Sequence, residues 1–165
     1  MNMVSSFAPV ANSDARLLVL GSMPGEMSLE KGQYYAHPRN QFWPIIKWVF
    51  EVSQDLEYGE SLTLLKDQHI ALWDVLKSCR RAGSLDSAIQ EEKANDFVAF
   101  FKAYPDIKAV CFNGKKAEAS FRKHVFPVLD IDRFSFHAMP STSPAYAGLS
   151  FEGKYQAWRE VLKVK

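Results

Sequence analysis

Two short segments near the start of the chain carry residues suited to holding a flat polar ligand. An apolar run at 17–20 leads into Gly-Ser-Met-Pro-Gly at 21–25, where glycine frees the backbone and proline fixes φ and lacks a donor. The second segment, 34–43, sets His-Pro-Arg-Asn among tyrosine, phenylalanine and tryptophan. Amides, backbone N–H groups and aromatic rings can recognise the edge of a planar base and stabilise charge on a leaving group.

Further loops belong to the same predicted site. Asn113-Gly114 follows an apolar run, and 139–144 reads Met-Pro-Ser-Thr-Ser-Pro. Strands are predicted at 16–20, 69–75, 107–112 and 133–138. Their alternation with helical patterns indicates a parallel sheet covered on both faces, whose ligands bind beyond the carboxyl ends of the strands. The loops at 21–25, 113–114 and 139–144 are therefore expected to meet.

The remaining pattern predicts a single α/β domain over residues 1–165. Residues 1–15 are expected to form either a loose arm or a short packing segment, and no repeat or linker divides the chain. The predicted helices that surround the sheet are 40–53, 61–68, 96–104, 115–124 and 151–164.

Composition excludes several classes of protein. With 47% apolar residues and a net charge of +1, the chain is expected to be globular, and its charge neither demands nor excludes nucleic acid. Cys111 lies in an apolar run and is predicted to be buried, and neither it nor Cys79 has metal-ligand spacing. Because no stretch approaches the roughly 20 apolar residues of a membrane span, we expect a soluble, cytoplasmic protein with no membrane contact. We also expect it to be a monomer.

Other chemistries lack their motifs. The three strand-end loops contain no pair of carboxylates for acid–base work, and no dinucleotide fingerprint, P-loop or Gly-x-Ser-x-Gly elbow is present. We therefore expect no metal and no cofactor.

Taken together, the motifs at 21–25, 35–43, 112–115 and 140–144 resemble the uracil-DNA glycosylase superfamily. The hypoxanthine-DNA (deoxyinosine) glycosylase branch is most similar. The mismatch-specific uracil/thymine branch shares a similar Ala-His-Pro-x-Asn-x-Phe-Trp segment. The resemblance implies a four-stranded parallel sheet in a three-layer α/β/α sandwich. It also implies hydrolysis of the N-glycosidic bond of a flipped, deaminated base in DNA, without metal or cofactor.

The chain departs from its relatives at Met23, where uracil-specific enzymes carry Asp and mismatch-specific ones Asn. A thioether cannot orient water, so the role must lie elsewhere if the chain is active. In the hypoxanthine branch the Asn of His-Pro-Arg-Asn is thought to act, which corresponds to Asn40. Asn is also a favoured helix cap, so Asn40 is either catalytic or structural. His37 is a rival general acid for a purine, or a packing residue.

The resemblance also assigns binding residues. Tyr35 corresponds to the aromatic that stacks on the base, with core packing as the alternative, and Asn113 to the reader of the base edge, with an Asn-Gly turn as the alternative. The complete base-binding set is Gly21, Ser22, Met23, Pro24, Tyr35 and Asn113. The residues expected to contact DNA are Arg39, Lys115, Lys116, Pro140, Ser141, Thr142 and Ser143, with Arg80 and Arg81 as further candidates.

The sequence thus predicts a monofunctional DNA glycosylase that prefers hypoxanthine and leaves an abasic site. Two alternatives remain open: a mismatch-specific uracil/thymine glycosylase, and a non-catalytic nucleobase or nucleic-acid binder with the same fold.

Overall fold

A parallel sheet of four strands forms the centre of the computed structural model, which describes residues 2–163. The strands within these residues are β1 Asn2–Ser5, β2 Leu17–Gly21, β3 Ile70–Asp74, β4 Leu76–Arg81, β5 Gln90–Ala94, β6 Ala109–Asn113 and β7 Ser135–Met139. The parallel sheet has the order β3-β2-β6-β7, and its strands are the four that the sequence predicts.

Strand β2 is buried on both faces, which explains its uninterrupted apolar sequence. Leu17 and Val19 pack into one core cluster, whereas Leu18 and Leu20 pack into another on the opposite face. The parallel register sets Gly21 beside Asp74 of β3, and Asn113 of β6 beside Met139 of β7. The carboxyl ends of all four strands therefore share one edge.

Helices cover both faces of this sheet. Their bounds are α1 Glu26–Lys31, α2 Phe42–Val49, α3 Tyr58–Asp67, α4 Phe97–Ala103, α5 Lys115–His124 and α6 Phe151–Leu162. Side chains of α2, α3 and α6 pack with Leu17 and Val19, and those of α4 and α5 pack with Leu18 and Leu20. This confirms the three-layer α/β/α architecture. Cys111 is buried in the core, as predicted.

Helix ends differ from the predicted bounds for local reasons. Helix α2 stops at Val49 because Glu51 adopts a left-handed φ of 55°. The Val52 N–H donates to the carbonyl of Lys47 at 3.0 Å, and the Glu51 N–H to that of Trp48, which together form a Schellman motif. The predicted last helix extended to residue 164, which lies outside the described residues.

A second, antiparallel sheet was not predicted. It has the order β1-β4-β5, and residues 2–5 pair along β4. A loose arm is therefore wrong for residues 2–5, which belong to a packed segment. The sheet was missed because β5 reads Gln-Glu-Glu-Lys-Ala, without the β-branched or aromatic residues typical of strands. Among the described residues, no helix combines the length and apolarity that crossing a bilayer requires.

Candidate active site

A cavity of about 850 Å³ opens at the carboxyl edge of the parallel sheet. It brings together residues from every predicted motif, since its lining includes Gly21, Ser22, Met23, Pro24, Tyr35, His37, Asn40, Asn113, Lys115, Lys116, Pro140, Ser141, Thr142 and Ser143. The loop at 84–87 and Asp74 also line it, although neither was predicted. Arg39 is exposed and lies outside the lining.

The first loop lies close to its neighbours at Gly21. A methyl group on Gly21 would lie 2.6 Å from Asp74 Oδ1 and 3.0 Å from Tyr35 Oη, so only glycine fits without displacing them. The next residue, Ser22, donates its hydroxyl to Asp86 Oδ1 at 2.5 Å. Met23 is 7% exposed and forms an apolar part of the wall. This geometry suits the expected role of the loop as a cradle of backbone and apolar surface.

Tyr35 has an unusual backbone and an unpartnered hydroxyl. Its φ is +56°, a conformation that is rare for a bulky residue, and such residues cluster at functional sites. Its ring centroid lies 4.2 Å from that of Phe42, while Oη is buried without a hydrogen-bond partner. Burial, followed by the nearby Asp74 carboxylate, raises the pKa of this phenol, and the Asn113 side chain close to Oη opposes the shift only in part, so the phenol stays protonated. The ring thus contacts the core and also lines the cavity.

Asn40 combines features of both of its expected roles. Its Oδ1 accepts a hydrogen bond from the Phe42 N–H at 2.9 Å in an Asx turn, although the N-cap position of α2 is Gln41, one residue later than predicted. The side chain also lines the cavity. A carbonyl oxygen has two lone pairs, so this hydrogen bond fixes the carboxamide and leaves one acceptor position for a water molecule.

His37 forms the start of the turn that leads to Asn40. The Asn40 N–H donates to the carbonyl of His37, and the Arg39 N–H donates to His37 Nδ1 at 3.1 Å. Nδ1 is therefore engaged as a hydrogen-bond acceptor within the turn. The hydrogen bonds favour the packing alternative for His37.

Asn113 is bound to Thr142 by two hydrogen bonds. Its Nδ2 donates to Thr142 Oγ1 at 3.0 Å, and its Oδ1 accepts from the Thr142 N–H at 2.9 Å. Thr142 is 0% exposed and its carbonyl accepts from the Gln41 N–H. Because Thr142 is fully buried and its hydroxyl accepts from Asn113, this geometry favours a role in holding Asn113, and its contact with phosphate stays a prediction. We call His37, Asn40, Asn113 and Thr142 the neutral wall of the cavity.

The lysines and arginines predicted to contact DNA differ in whether they already have a partner within the protein. Lys115 is exposed, whereas Lys116 Nζ pairs with Glu92 at 2.5 Å. Arg81 is 4% exposed and donates to the carbonyls of Pro24 and Gly83, so the expected contact of Arg81 with DNA is wrong and its role is structural. Arg80 pairs with Glu91. Lys115 therefore has the clearest access to a phosphate among these cations.

Ser141 and Ser143 lie on the same lip of the cavity as Lys115. Ser141 Oγ accepts from the Ser143 N–H, and Ser143 Oγ accepts from the Ala145 N–H, both at 3.1 Å. Both hydroxyl protons remain available to an acceptor. Gly114 has a φ of +97°, and a methyl group there would lie 3.2 Å from the Ser141 Cβ, so the close contact of these loops favours glycine.

Four carboxylates line the cavity, Glu26, Asp74, Asp86 and Glu118, and all of them lie outside the three strand-end loops, which lack a carboxylate pair as predicted. Asp74 ends β3 and is 3% exposed, and Asp86 lies on the exposed loop before β5. We call Asp74 and Asp86 the acidic wall. Burial, and then repulsion from Asp86, raise the pKa of Asp74 to about 7, although Arg81 opposes the shift. Its Oδ2 is buried and has no hydrogen-bond partner among the described residues.

A signal for Asp74 was available in the sequence. It is the carboxylate that follows the apolar run at 70–73, so the rule that located the other strand-end loops applies to it as well. Asp86 gave no such signal because it lies beyond the unpredicted strand β4.

Comparison with known proteins places this geometry in context. Residues 8–162 match the sequence profile of the Uracil DNA glycosylase superfamily. The chain is 35% identical over 158 residues to a hypoxanthine DNA glycosylase of Methanosarcina barkeri, and equally to one of Methanosarcina acetivorans, covering 95% of this chain and 96% of each relative. The solution NMR structure of a Methanosarcina acetivorans protein assigned to the uracil DNA glycosylases superposes with a TM-score of 0.81 at 33% identity, over 98% of this chain and 99% of that one.

Proposed function

The chain belongs to the uracil DNA glycosylase superfamily, and on that basis we propose that it is a monofunctional DNA glycosylase that excises hypoxanthine. It would flip the deaminated base out of the duplex, hydrolyse its N-glycosidic bond and leave an abasic site. The hypoxanthine DNA glycosylases that are 35% identical to the chain support this choice of base over the mismatch-specific alternative.

The observation that carries the proposal is the convergence of the predicted loops on one cavity. Residues 21–24, 113–116 and 140–143 meet His37 and Asn40 at the carboxyl edge of the sheet around about 850 Å³ of space. That volume accommodates a purine with its sugar. Extrusion of the base costs a few kcal/mol, and this cost is smallest for a poorly paired base such as a deaminated one.

Within this cavity we assign the base to the space between Tyr35 and the first loop. Stacking on an aromatic ring is worth about 1–3 kcal/mol per base. Breaking the glycosidic bond leaves positive character on the sugar and negative charge on the base, which nearby backbone N–H groups of the first loop would stabilise. Asn40 would orient the attacking water through the free lone pair of Oδ1.

The DNA backbone would run along the lip formed by Lys115, Ser141 and Ser143. An exposed ammonium group and two hydroxyl protons can each contact a phosphate oxygen. Arg39, exposed two residues after His37, would extend this contact. Because the whole cavity is built from one chain, we propose that the protein acts as a monomer.

A base-excision assay tests the function. Duplexes that carry one deoxyinosine, one deoxyuridine or one G:T mismatch are incubated with the protein and then treated with alkali. We expect strand breaks at deoxyinosine in large excess over the other two. Breaks mainly at deoxyuridine or G:T would favour the mismatch-specific alternative, and binding without breaks would favour a non-catalytic protein.

The role of Asn40 is tested with two substitutions. Asn40→Ala removes both the acceptor that binds the Phe42 N–H and the carboxamide, whereas Asn40→Ser keeps an acceptor for that N–H. If the carboxamide orients water, both variants lose excision by about 100-fold or more, and Asn40→Ser keeps the melting temperature of the wild type. Normal excision by Asn40→Ser would assign the residue to capping alone.

A further inference from the structure

Asp74 is the most unusual group in the cavity. It lies at the end of β3 on the cavity lining, it is 3% exposed, and its Oδ2 is buried without a hydrogen-bond partner. A buried polar atom without a partner is costly. Because Asp74 belongs to the cavity lining, a bound ligand or water is the available partner for this oxygen. Its other oxygen, Oδ1, lies against Gly21.

The charged neighbours of Asp74 favour its neutral form. Arg81 is the cation that stabilises its charge, but Nε and one terminal nitrogen of this guanidinium are bound to the carbonyls of Gly83 and Pro24. Asp86 repels a charge on Asp74, and Tyr34 and Tyr35 present neutral hydroxyl groups. Burial adds to the repulsion, and the pKa of Asp74 rises to about 7. A substantial fraction of Asp74 therefore carries a proton at neutral pH.

We propose that Asp74 is the general acid of the reaction, and that it transfers its carboxyl proton to the base as the glycosidic bond breaks. This inference rests on the proposed function. A carboxyl group held in an apolar site, with a raised pKa, is the kind of group that protonates leaving groups in glycoside hydrolysis. Such a donor removes the negative charge that would otherwise build up on the departing purine.

The bond between C1′ and the base nitrogen breaks, and both of its electrons go to the base. The base takes the proton of Asp74 and leaves as neutral hypoxanthine, while Asp74 becomes a carboxylate. Water oriented by Asn40 adds to C1′ and releases a proton, which restores the acid form of Asp74 directly or through solvent.

Other acids of the cavity are less suited to this step. His37 Nδ1 accepts a hydrogen bond from the Arg39 N–H, so this nitrogen is engaged within the turn. The carboxylates of Asp86 and Glu118 are held by Ser22 and Arg122, respectively, and Glu26 is exposed. Asp74 is therefore the carboxyl group on the described lining that is both buried and unpartnered.

The test is the pH dependence of single-turnover excision from a deoxyinosine duplex between pH 5.5 and 9. For the wild type we expect the rate to fall above about pH 7, approaching tenfold per pH unit, because only protonated Asp74 donates. Asp74→Asn keeps the shape and a hydrogen-bond donor but cannot release a proton, so we expect a loss on the order of 100-fold or more at pH 6. Asp96→Asn, which removes a carboxylate at the start of α4 outside the cavity, is the matched control and should match the wild type.

Two further measurements distinguish the loss of an acid from poor folding of the Asp74→Asn variant. Asp86→Asn removes the repulsion that helps to raise the pKa of Asp74, so the fall in rate should begin at a lower pH. Thermal unfolding gives an independent readout. A carboxyl group whose pKa is raised on folding contributes to the free energy of unfolding while it is protonated. This contribution is lost as pH rises through about 7. Between pH 5 and 8 the free energy of unfolding of the wild type should therefore fall relative to that of Asp74→Asn.

Each outcome decides the matter. A rate that is flat with pH, a rate that falls on the acidic side, or Asp74→Asn activity within a few-fold of wild type would overturn the assignment of the acid while leaving the glycosylase intact. If the wild type releases no base at any pH, the proposed function fails, and this inference fails with it.

Discussion

The two walls of the cavity differ in how their hydrogen bonds are satisfied. In the neutral wall, Asn113 and Thr142 bind each other twice, and the carboxamide of Asn40 binds the start of α2. In the acidic wall, Asp74 is buried with Oδ2 unpartnered. The side chains of the neutral wall thus have hydrogen-bond partners without a ligand, whereas Asp74 Oδ2 of the acidic wall has none among the described residues.

This difference separates residues whose polar groups hold the loops of the cavity in place from residues whose polar groups would gain a partner only when a substrate binds. Polar groups that hydrogen-bond to each other hold loops in place, so removing one of them should first lower the free energy of unfolding. Unpartnered buried groups lower stability, so their retention suggests a role in binding or catalysis. The same residue types therefore carry different meanings in the two walls. The following substitutions test the distinction, beginning with the largest expected effect.

Gly21→Ala should damage the acidic wall most. The added methyl would lie 2.6 Å from Asp74 Oδ1, and this short buried side chain has little room to move. We expect loss of deoxyinosine excision on the order of 100-fold, since small displacements of reacting groups have effects of that size, and a loss of about 1–3 kcal/mol in the free energy of unfolding. Excision rates and urea unfolding measure the two effects.

Gly59→Ala is the control for Gly21→Ala. Gly59 lies in α3 and a methyl there meets no atom within 4 Å, so alanine should raise stability by about 0.5–1 kcal/mol without affecting excision. If Gly21→Ala behaves like Gly59→Ala, the acidic wall is not as tightly packed as the structure indicates.

Thr142→Val should affect the neutral wall through stability. Valine has nearly the same shape but lacks the hydroxyl that accepts from Asn113 Nδ2, and it leaves this buried donor without a partner. We expect a loss of about 1–3 kcal/mol in the free energy of unfolding. Ser141→Ala is the comparison, because its hydroxyl accepts one hydrogen bond at a partly exposed position and should contribute about 1 kcal/mol or less. Equal losses in the two urea titrations would contradict the role of Thr142 as the buried connection.

Lys115→Ala should have the smallest effect, because it changes the lip and neither wall. Removing one phosphate contact should weaken binding to undamaged duplex a few-fold and reduce the salt dependence of log K by about one. Lys116→Ala should leave that salt dependence nearly unchanged, because Lys116 is already paired with Glu92. Fluorescence anisotropy at several salt concentrations measures both. A larger change for Lys116 would show that its ion pair opens when DNA binds.

The neutral wall could be predicted from the sequence much better than the acidic wall. Its residues belong to loops that follow clear apolar strands, and the rule for parallel sheets brings the loops together. The partner of each group could not be predicted, because Asn113 and Thr142 are 29 residues apart and their pairing depends on the register of β6 against β7. The prediction that Asn113 reads a base edge therefore remains open, but its carboxamide is already engaged.

The acidic wall escaped prediction for a different reason. Asp86 is positioned by the hairpin of β4 and β5, whose strands lack a recognisable alternation of apolar residues. The charge state of Asp74 depends on Asp86 and Arg81, which come near it only after this second sheet has folded onto the first. Arg81 was likewise predicted to be a surface cation. The sequence alone does not reveal that its guanidinium donates to the carbonyls of Gly83 and Pro24.

Arg81 links the two sheets in a way that bears on how the molecule fluctuates. It ends β4, and its guanidinium holds the carbonyl of Pro24 in the first loop at 2.6 Å. A transient opening of the antiparallel sheet would therefore release this loop as well. The hairpin and the base cradle should then behave as one cooperative unit of local unfolding, so that the part of the fold least obvious in the sequence governs how often the cradle is intact.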